Sequence, residues 1–403
     1  MNPKTSPMKQ SFTGNFTQQE PIPEAGIEAA LRVMRAGRLH RYNVAVGEVG
    51  ETALLEQEFA AFTGAAYALA VASGGYAIGC ALRAMGVGPG DPVLTNAFTL
   101  APVPGAIAAV SARPVFVEVT ESLTIDLDHL AQRISETGAK VLLLSHMRGH
   151  ICDMGKLMAI CDAGGVSVIE DCAHTMGGTW KGVPSGRHGR VAAYSTQTYK
   201  HINSGEGGLL TSDDPDLMAR AVILSGSYML FERHRAAPPR EAFEKVKYVT
   251  PNVSGRMDNL RAAILRPQLA DLPAQVARWN ALYRTVEEGL RNTPGLKVIE
   301  RPAEEGIVGS SIQFLLPEFG ADRIAQVQSG CAARGVELKW FGGAEPVGFT
   351  SRYESWRYAE TQSLPQTDRI LAGLMDMRLP LTFSLDDACL IAGIIADEVR
   401  GAQ

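Results

Sequence analysis

The chain has 403 residues, 46% of them apolar and 20% charged, and a formal net charge of −5. That length exceeds one small core and implies two domains, while the slightly acidic balance, without a basic tail or block, argues against a nucleic-acid or membrane-surface binder. Six scattered cysteines with no Cys-x-x-Cys pair fit reduced thiols better than a disulfide frame or a metal site, and a polar start without an apolar leader adds to the expectation of a cytoplasmic protein.

Residues 1–22 are polar and proline-bearing and read as an N-terminal arm. Glu24–Ala36 carries Ile27, Leu31 and Met34 at helical spacing and ends at Gly37, as a C-cap should. Leu55, Phe59 and Phe62 repeat the pattern before Gly64. Short apolar runs then alternate with helical stretches. The runs are Ala66–Val71, Pro92–Thr95, Val115–Val119, Lys140–Ser145, Val166–Ile169, Val191–Tyr194 and Gly208–Thr211. Most are unbroken, as strands covered on both faces are. Strands alternating with helices predict an α/β large domain, residues 23–274, around a mostly parallel seven-stranded sheet.

Residues 225–249 are polar and read as a mobile lid or a surface excursion. Residues 256–290 predict a long helix interrupted near Pro267 and Pro273, leading into a smaller α+β domain, residues 275–403. Short strands are expected there at Ser311–Leu315 and Glu337–Trp340.

In parallel sheets ligands sit at the carboxyl ends of the strands, so the residues just beyond each run are the informative ones. After Val71 comes Ser73-Gly74-Gly75, opening a helix. Such a turn offers backbone N–H groups, a hydroxyl and the positive helix end to a phosphate, or it is only a tight turn. After Ile169 come Asp171 and His174. A carboxylate at a buried strand end is costly unless it meets a cation; an N-cap or structural ion pair is the other reading. After Tyr194 come Ser195 and Lys200, followed by the glycine-rich Gly205-Glu206-Gly207-Gly208. A desolvated lysine at a strand mouth has a lowered pKa and a reactive lone pair, and a surface lysine on a loop is the other reading. Lysine, carboxylate and phosphate cradle together meet the demands of pyridoxal 5′-phosphate: an amine for the Schiff base, a partner that keeps the ring nitrogen protonated, and an anchor.

The chain resembles the DegT/DnrJ/StrS family of fold-type-I, pyridoxal-phosphate-dependent sugar aminotransferases over nearly its whole length. The resemblance is carried by Leu39-His40-Arg41-Tyr42, Leu55–Ala60 with Gly64-Ala65, Ala84–Asp91 and Pro114–Val119. It continues through Ser145-His146 with Gly149, Val168–His174, Gly205–Gly208, and Arg256-Met257-Asp258 with Ala262-Ala263. It implies that Lys200 is the Schiff-base lysine and general base, that Asp171 pairs with the pyridinium, and that His174 lies near the cofactor's phenolate oxygen. Ser195, with Ser73, Gly74 and Gly75, would hold the phosphate. A homodimer with shared active sites is implied, as are an amino-acid donor, glutamate or glutamine, and a small keto acceptor such as a sugar or cyclitol.

The departures from the family pattern concern the substrate. Gly75 replaces a threonine, Leu100 stands where an aromatic ring commonly stacks on the cofactor (Phe98 being the neighbouring ring), and Ser254 replaces an asparagine that reaches the neighbouring subunit. Arg148 stands in the segment after His146 and is read either as a grip on an acidic substrate group or as a structural ion pair. His201 and Trp340 are further candidate substrate contacts. Related sugar dehydratases carry histidine in place of this lysine, but Lys200 is present. Elimination or decarboxylation on the same scaffold, and a non-catalytic cofactor-binding regulator, are the alternative functions.

Overall fold

The computed structural model describes residues 10–403. Each of the seven apolar runs forms a strand of one sheet. These are β1 (Tyr67–Val71), β2 (Pro92–Asn96), β3 (Arg113–Val117), β4 (Val141–Ser145) and β5 (Ser167–Asp171), followed, after the short hairpin β6 (Thr179–Trp180) and β7 (Val183–Pro184), by β8 (Val191–Ser195) and β9 (Gly208–Ser212). The order across the sheet is β1-β9-β8-β5-β4-β2-β3, and β9 alone runs against its neighbours. β3 starts two residues before its apolar run because pairing with β2, Pro92 opposite Arg113, sets its start.

Helices α1 (Glu24–Ala36) and α2 (Glu51–Thr63) precede the sheet. α3 (Gly74–Ala84), α4 (Pro102–Ala109), α5 (Leu127–Thr137) and α6 (Met154–Gly164) follow β1 to β4 in turn, and α7 (Pro215–Ser225) follows β9. They cover both faces. Leu69 and Val71 of β1 join one apolar cluster while Ala68 and Ala70 join another, and β4 alternates in the same way. This double burial is why the runs are unbroken in sequence.

Beyond α8 (Arg240–Val246) and α9 (Asn259–Leu290), a second, antiparallel sheet of order β10-β12-β14-β13 forms from β10 (Lys297–Val298), β12 (Ser311–Leu315), β13 (Lys339–Trp340) and β14 (Leu374–Arg378). β11 (Glu305–Gly306) joins β6 and β7 instead. α10 (Ala321–Ala333), α11 (Pro365–Ala372) and α12 (Leu385–Gly401) complete this α+β part.

The structure departs from the sequence expectations at four places. α9 runs unbroken through Pro267 and Pro273. Each proline removes one backbone donor, but α9 packs against α1, α2 and α12, and that burial outweighs the local defects. Residues 10–22 form no helix or strand, yet Phe12 and Phe16 are buried edge-on against Phe383 in the core of the second sheet. The stretch read as a mobile lid or a surface excursion folds back on itself: Phe231 stacks on Phe243 at 4.1 Å, and His234 is buried. Finally, α1 buries its small residues Gly26, Ala29 and Ala30 and leaves Ile27, Leu31 and Met34 exposed. Among the described residues no helix is long and apolar enough to cross a membrane.

One buried polar network ties the N-terminal segment to the sheet. Arg41 donates to both oxygens of Glu56 at 2.9 Å, and Glu56 also meets His234 Nδ1 and the Ala70 N–H. Burial opposes the charge on Glu56, but Arg41 and then His234 outweigh it and bring its carboxyl down to about 2. Breaking such a buried pair from one side leaves a charge unmatched. Arg41→Ala is expected to destabilise the protein by about 3–5 kcal/mol, read as a lower urea midpoint. Because the folded carboxyl is depressed, the stabilisation from Glu56 is complete above about pH 4.5 and is lost as pH falls toward about 2.

Candidate active site

The carboxyl ends of β1, β2, β4, β5 and β8 share one edge of the sheet. Because β9 is antiparallel, its first residue, Gly208, stands at this edge too, opposite Val71 and Ser195. A cavity of ≈ 450 Å³ opens there, and its lining includes Ser73, Leu100, Arg148, His174, Ser195 and Lys200. The strand-end residues of the glycine turn, the histidine and the lysine therefore converge on one space.

The glycine turn is the N-terminus of α3. Ser73 caps the helix, its side chain accepting from the Tyr76 N–H at 3.1 Å, and Gly74 and Gly75 begin the first turn. N–H groups in a first helical turn have no intrahelical acceptor, so this end suits an anion. Gly74 is required by close packing, since a Cβ there would lie 2.7 Å from Ser195 Cβ. At Gly75 the nearest atom to an added Cβ is Pro102 Cβ at 3.8 Å, which leaves room for a side chain.

Among the described residues Lys200 Nζ makes one hydrogen bond, to His174 Nε2 at 2.7 Å. The other ring nitrogen, Nδ1, accepts from the Arg148 backbone N–H at 3.2 Å. Burial, then the charges of Lys200 and Arg148, hold the imidazole well below its usual pKa, so it is neutral. With Nδ1 accepting, the ring proton sits on Nε2 and is donated to the lone pair of an uncharged amine. The lysine's own environment agrees. Burial is the largest influence, Asp171 opposes it, the Arg148 and Arg378 guanidiniums add to it, and the amine comes down to about 7.

Asp171 is buried and does not itself line the cavity, though its charge is felt at Lys200. The Ala173 N–H donates to Oδ1, and Thr99 donates to Ser145, which donates to Oδ2. No cation pairs with Asp171 among the described residues, and burial raises its pKa above the usual range.

The remaining candidates divide. Leu100 lines the cavity, whereas Phe98 turns away and packs edge-on against Phe341. Arg148 lines the cavity but lies 2.8 Å from Asp376 Oδ2, with both side chains buried. It adopts a left-handed backbone, φ 55°, from which its N–H reaches His174. His201 faces a smaller adjacent cavity, bonds Ser310 at 3.0 Å, and is brought by burial to a pKa of about 3. Trp340 donates to the Ala372 carbonyl and lies outside the main cavity. Ser254 is exposed on a turn with φ 33°, away from this chain's own cavity.

Sequence reasoning missed Tyr199, Asp376 and Arg378. Tyr199 and Arg378 line the cavity, and the Arg378 guanidinium lies 3.7 Å from the centre of the Tyr199 ring. One signal was available: Asp376 is an acid inside the otherwise apolar Leu374–Met377, and a charge in such a strand needs a partner.

A mostly parallel sheet flanked by helices, with the site at its carboxyl edge and a second sheet beside it, defines an α/β protein of the aminotransferase class. The chain belongs to the DegT/DnrJ/EryC1/StrS aminotransferase family, whose model matches residues 28–395. It is 33% identical over 245 residues to the spore coat polysaccharide biosynthesis protein SpsC of Bacillus subtilis, covering 60% of this chain and 62% of that one. It is 35% identical over 237 residues to 3-amino-5-hydroxybenzoate synthase of Amycolatopsis mediterranei, covering 57% and 58%. Both matches thus span less than two thirds of the relative. A longer match, 32% identical over 324 residues, is to dTDP-3-amino-3,4,6-trideoxy-alpha-D-glucose transaminase of Streptomyces venezuelae, covering 77% and 80%. The fold superposes on the crystal structure of 3-amino-5-hydroxybenzoic acid synthase with a TM-score of 0.81 at 25% identity, covering 98% of this chain and 100% of that one.

Because only the uncharged amine reacts, labelling of Lys200 by an amine reagent should rise with pH through about 7 and then level off. Peptide mass spectrometry reads the midpoint. A midpoint near the usual 10.5 would mean that the amine is charged in the folded protein.

Proposed function

We propose that this chain is a pyridoxal-5′-phosphate-dependent transaminase that moves an amino group from an amino-acid donor, glutamate or glutamine, to the keto group of a sugar, cyclitol or related small acceptor. The observation that carries the reading is the Lys200 amine, its pKa brought down to about 7, at a cavity whose wall is a helix N-terminus, with a buried carboxylate, Asp171, that no cation pairs with among the described residues.

The residues present fit the cofactor. The N–H groups of Gly74 and Gly75 suit its phosphate, with the Ser195 and Ser73 hydroxyls beside them. Leu100 provides an apolar wall for its ring. Asp171 lacks the cation that its burial calls for, and a protonated ring nitrogen is such a cation. When bound, the cofactor supplies the electron sink that makes the donor's α-proton acidic. Lys200 Nζ is the nucleophile that attaches the cofactor and the base for that proton. His174 aims the amine, and burial with the Arg148 and Arg378 charges brings the amine's pKa down to about 7. Arg148 sets His174 through its backbone N–H.

The active form in this reading is a homodimer. Tyr228, Met229, Tyr248, Val249 and Val253 are exposed apolar side chains that all fall between residues 228 and 254, on the segment leading to Ser254. Tyr76, one residue past the glycine turn, bonds the Leu224 and Val253 carbonyls and ties that segment to α3. The cofactor-binding part is residues 23–274 and the smaller part 275–403, with α9 spanning the boundary.

Purified protein given pyridoxal phosphate should be yellow, and glutamate or glutamine should bleach the band as the cofactor takes up the amino group. Lys200→Ala should abolish or shift the band, and a protein that gains no band would refute the reading. The glycine turn gives a second test by equilibrium dialysis. Gly74→Ala should weaken cofactor retention about tenfold by displacing Ser195. Gly75→Thr should fold normally and retain the cofactor at least as well.

A further inference from the structure

A smaller cavity of ≈ 80 Å³ adjoins the main one, and Gln19, Lys200 and Trp279 line both. These residues form the partition between the two spaces. Lys200 carries the reacting amine, and Trp279 is a buried ring of α9 packed edge-on to His201 at 5.3 Å. Gln19 belongs to the N-terminal arm and, among the described residues, is the one arm residue at the main cavity.

The arm is fixed on both sides of Gln19. Upstream, Phe12 and Phe16 are buried in the core of the second sheet, and Thr382 Oγ1 donates to the Gln18 carbonyl at 3.4 Å. Downstream, Arg278 of α9 donates to both oxygens of the Glu20 carboxylate, at 2.9 and 2.7 Å, and to the Leu381 carbonyl at 3.0 Å. A surface ion pair adds little stability, but its paired bonds set a direction. Pro21 and Pro23 then stiffen the chain as it enters α1.

Between these anchors Gln19 is half-buried. Its main-chain carbonyl accepts from Gln18 Nε2 at 2.8 Å, whereas its side-chain amide meets no hydrogen-bond partner among the described residues. Ser310 and Ser311, polar residues of the same cavity wall, are already bonded, to His201 and Gln313. The arm is thus held in place at the cavity while the polar group it brings there stays uncommitted.

We propose that Gln19 is a specificity-determining residue whose side-chain amide binds a ring hydroxyl of the amino acceptor. A carboxamide both donates and accepts, as a hydroxyl does. A carboxylate only accepts and would leave the amide oxygen unmatched. The inference rests on the aminotransferase reading and deepens it: the acceptor is a polyhydroxylated ring, read by the arm beside the reacting amine.

The test uses cofactor-loaded protein and two rings without a keto or amino group: myo-inositol, which is polyhydroxylated, and tetrahydropyran, which has no hydroxyl. Calorimetric titration should show that the wild type binds myo-inositol more tightly than tetrahydropyran. Gln19→Leu should weaken myo-inositol about tenfold and leave tetrahydropyran unchanged, with Gln19→Glu, which keeps an acceptor atom, recovering part of the loss. The urea midpoint shows whether each variant is folded. A wild type that binds myo-inositol no better than tetrahydropyran would overturn the inference. So would a folded, yellow Gln19→Leu protein whose affinity for myo-inositol stays within about twofold of wild type, less than one hydrogen bond is worth. Bleaching of the band by glutamate separates a reader of hydroxyls from a general support of the site. If Gln19→Leu slows that step as much as it weakens myo-inositol, the residue props the cavity and the inference fails. Wild-type protein that gains no band with pyridoxal phosphate would instead overturn the aminotransferase reading, and this inference with it.

Discussion

Burial penalises an amine only while it is charged, and Lys200 is part-buried within reach of two guanidiniums. The features around it follow from keeping that amine uncharged and aimed. His174 must be neutral with its proton on Nε2, and the Arg148 N–H ensures this by occupying Nδ1. Arg148 must then hold a left-handed backbone, a conformation that costs a non-glycine residue about 1–3 kcal/mol unless its surroundings enforce it. Asp376, 2.8 Å from its guanidinium in an ion pair without hydrogen-bond geometry, anchors its side chain from the second sheet. The chain of dependence runs from Asp376 through Arg148 and His174 to the amine.

That chain also explains how the two sheets cooperate. The first supplies the glycine turn, Asp171, Ser195 and Lys200 from strand ends that its parallel pairing brings into line. The second supplies Asp376 and Arg378 from one face of β14, and Gln313 on β12 holds the other oxygen of Asp376. α9 belongs to both, which is a reason for the helix to tolerate two prolines: its packing with α1, α2 and α12 stabilises it more than two lost hydrogen bonds weaken it. A local rule about proline yielded to tertiary burial.

The arginines show the same division. Arg148 stands out in sequence because it follows a strand end, and an acidic substrate group was one of its two readings. Its side chain is instead matched by a carboxylate more than two hundred positions away, while Arg378, which no local pattern marks, stands at the wall without one. Trp340 and His201 also have the residue types of substrate contacts, yet Trp340 Nε1 bonds Ala372 and His201 Nε2 bonds Ser310.

What the sequence by itself determined is whatever local chemistry controls. The seven strands were legible because burial on both faces demands unbroken apolar runs, and the lysine, aspartate and glycine turn because strand ends in a parallel sheet must share an edge. The exposed apolar face of α1, the burial of Phe12 and Phe16, and the continuity of α9 were decided only in three dimensions. So was the pairing of charges around Asp376. Each depends on which distant surface packs against a segment, and Coulomb attraction and apolar burial act through space, without regard to position along the chain.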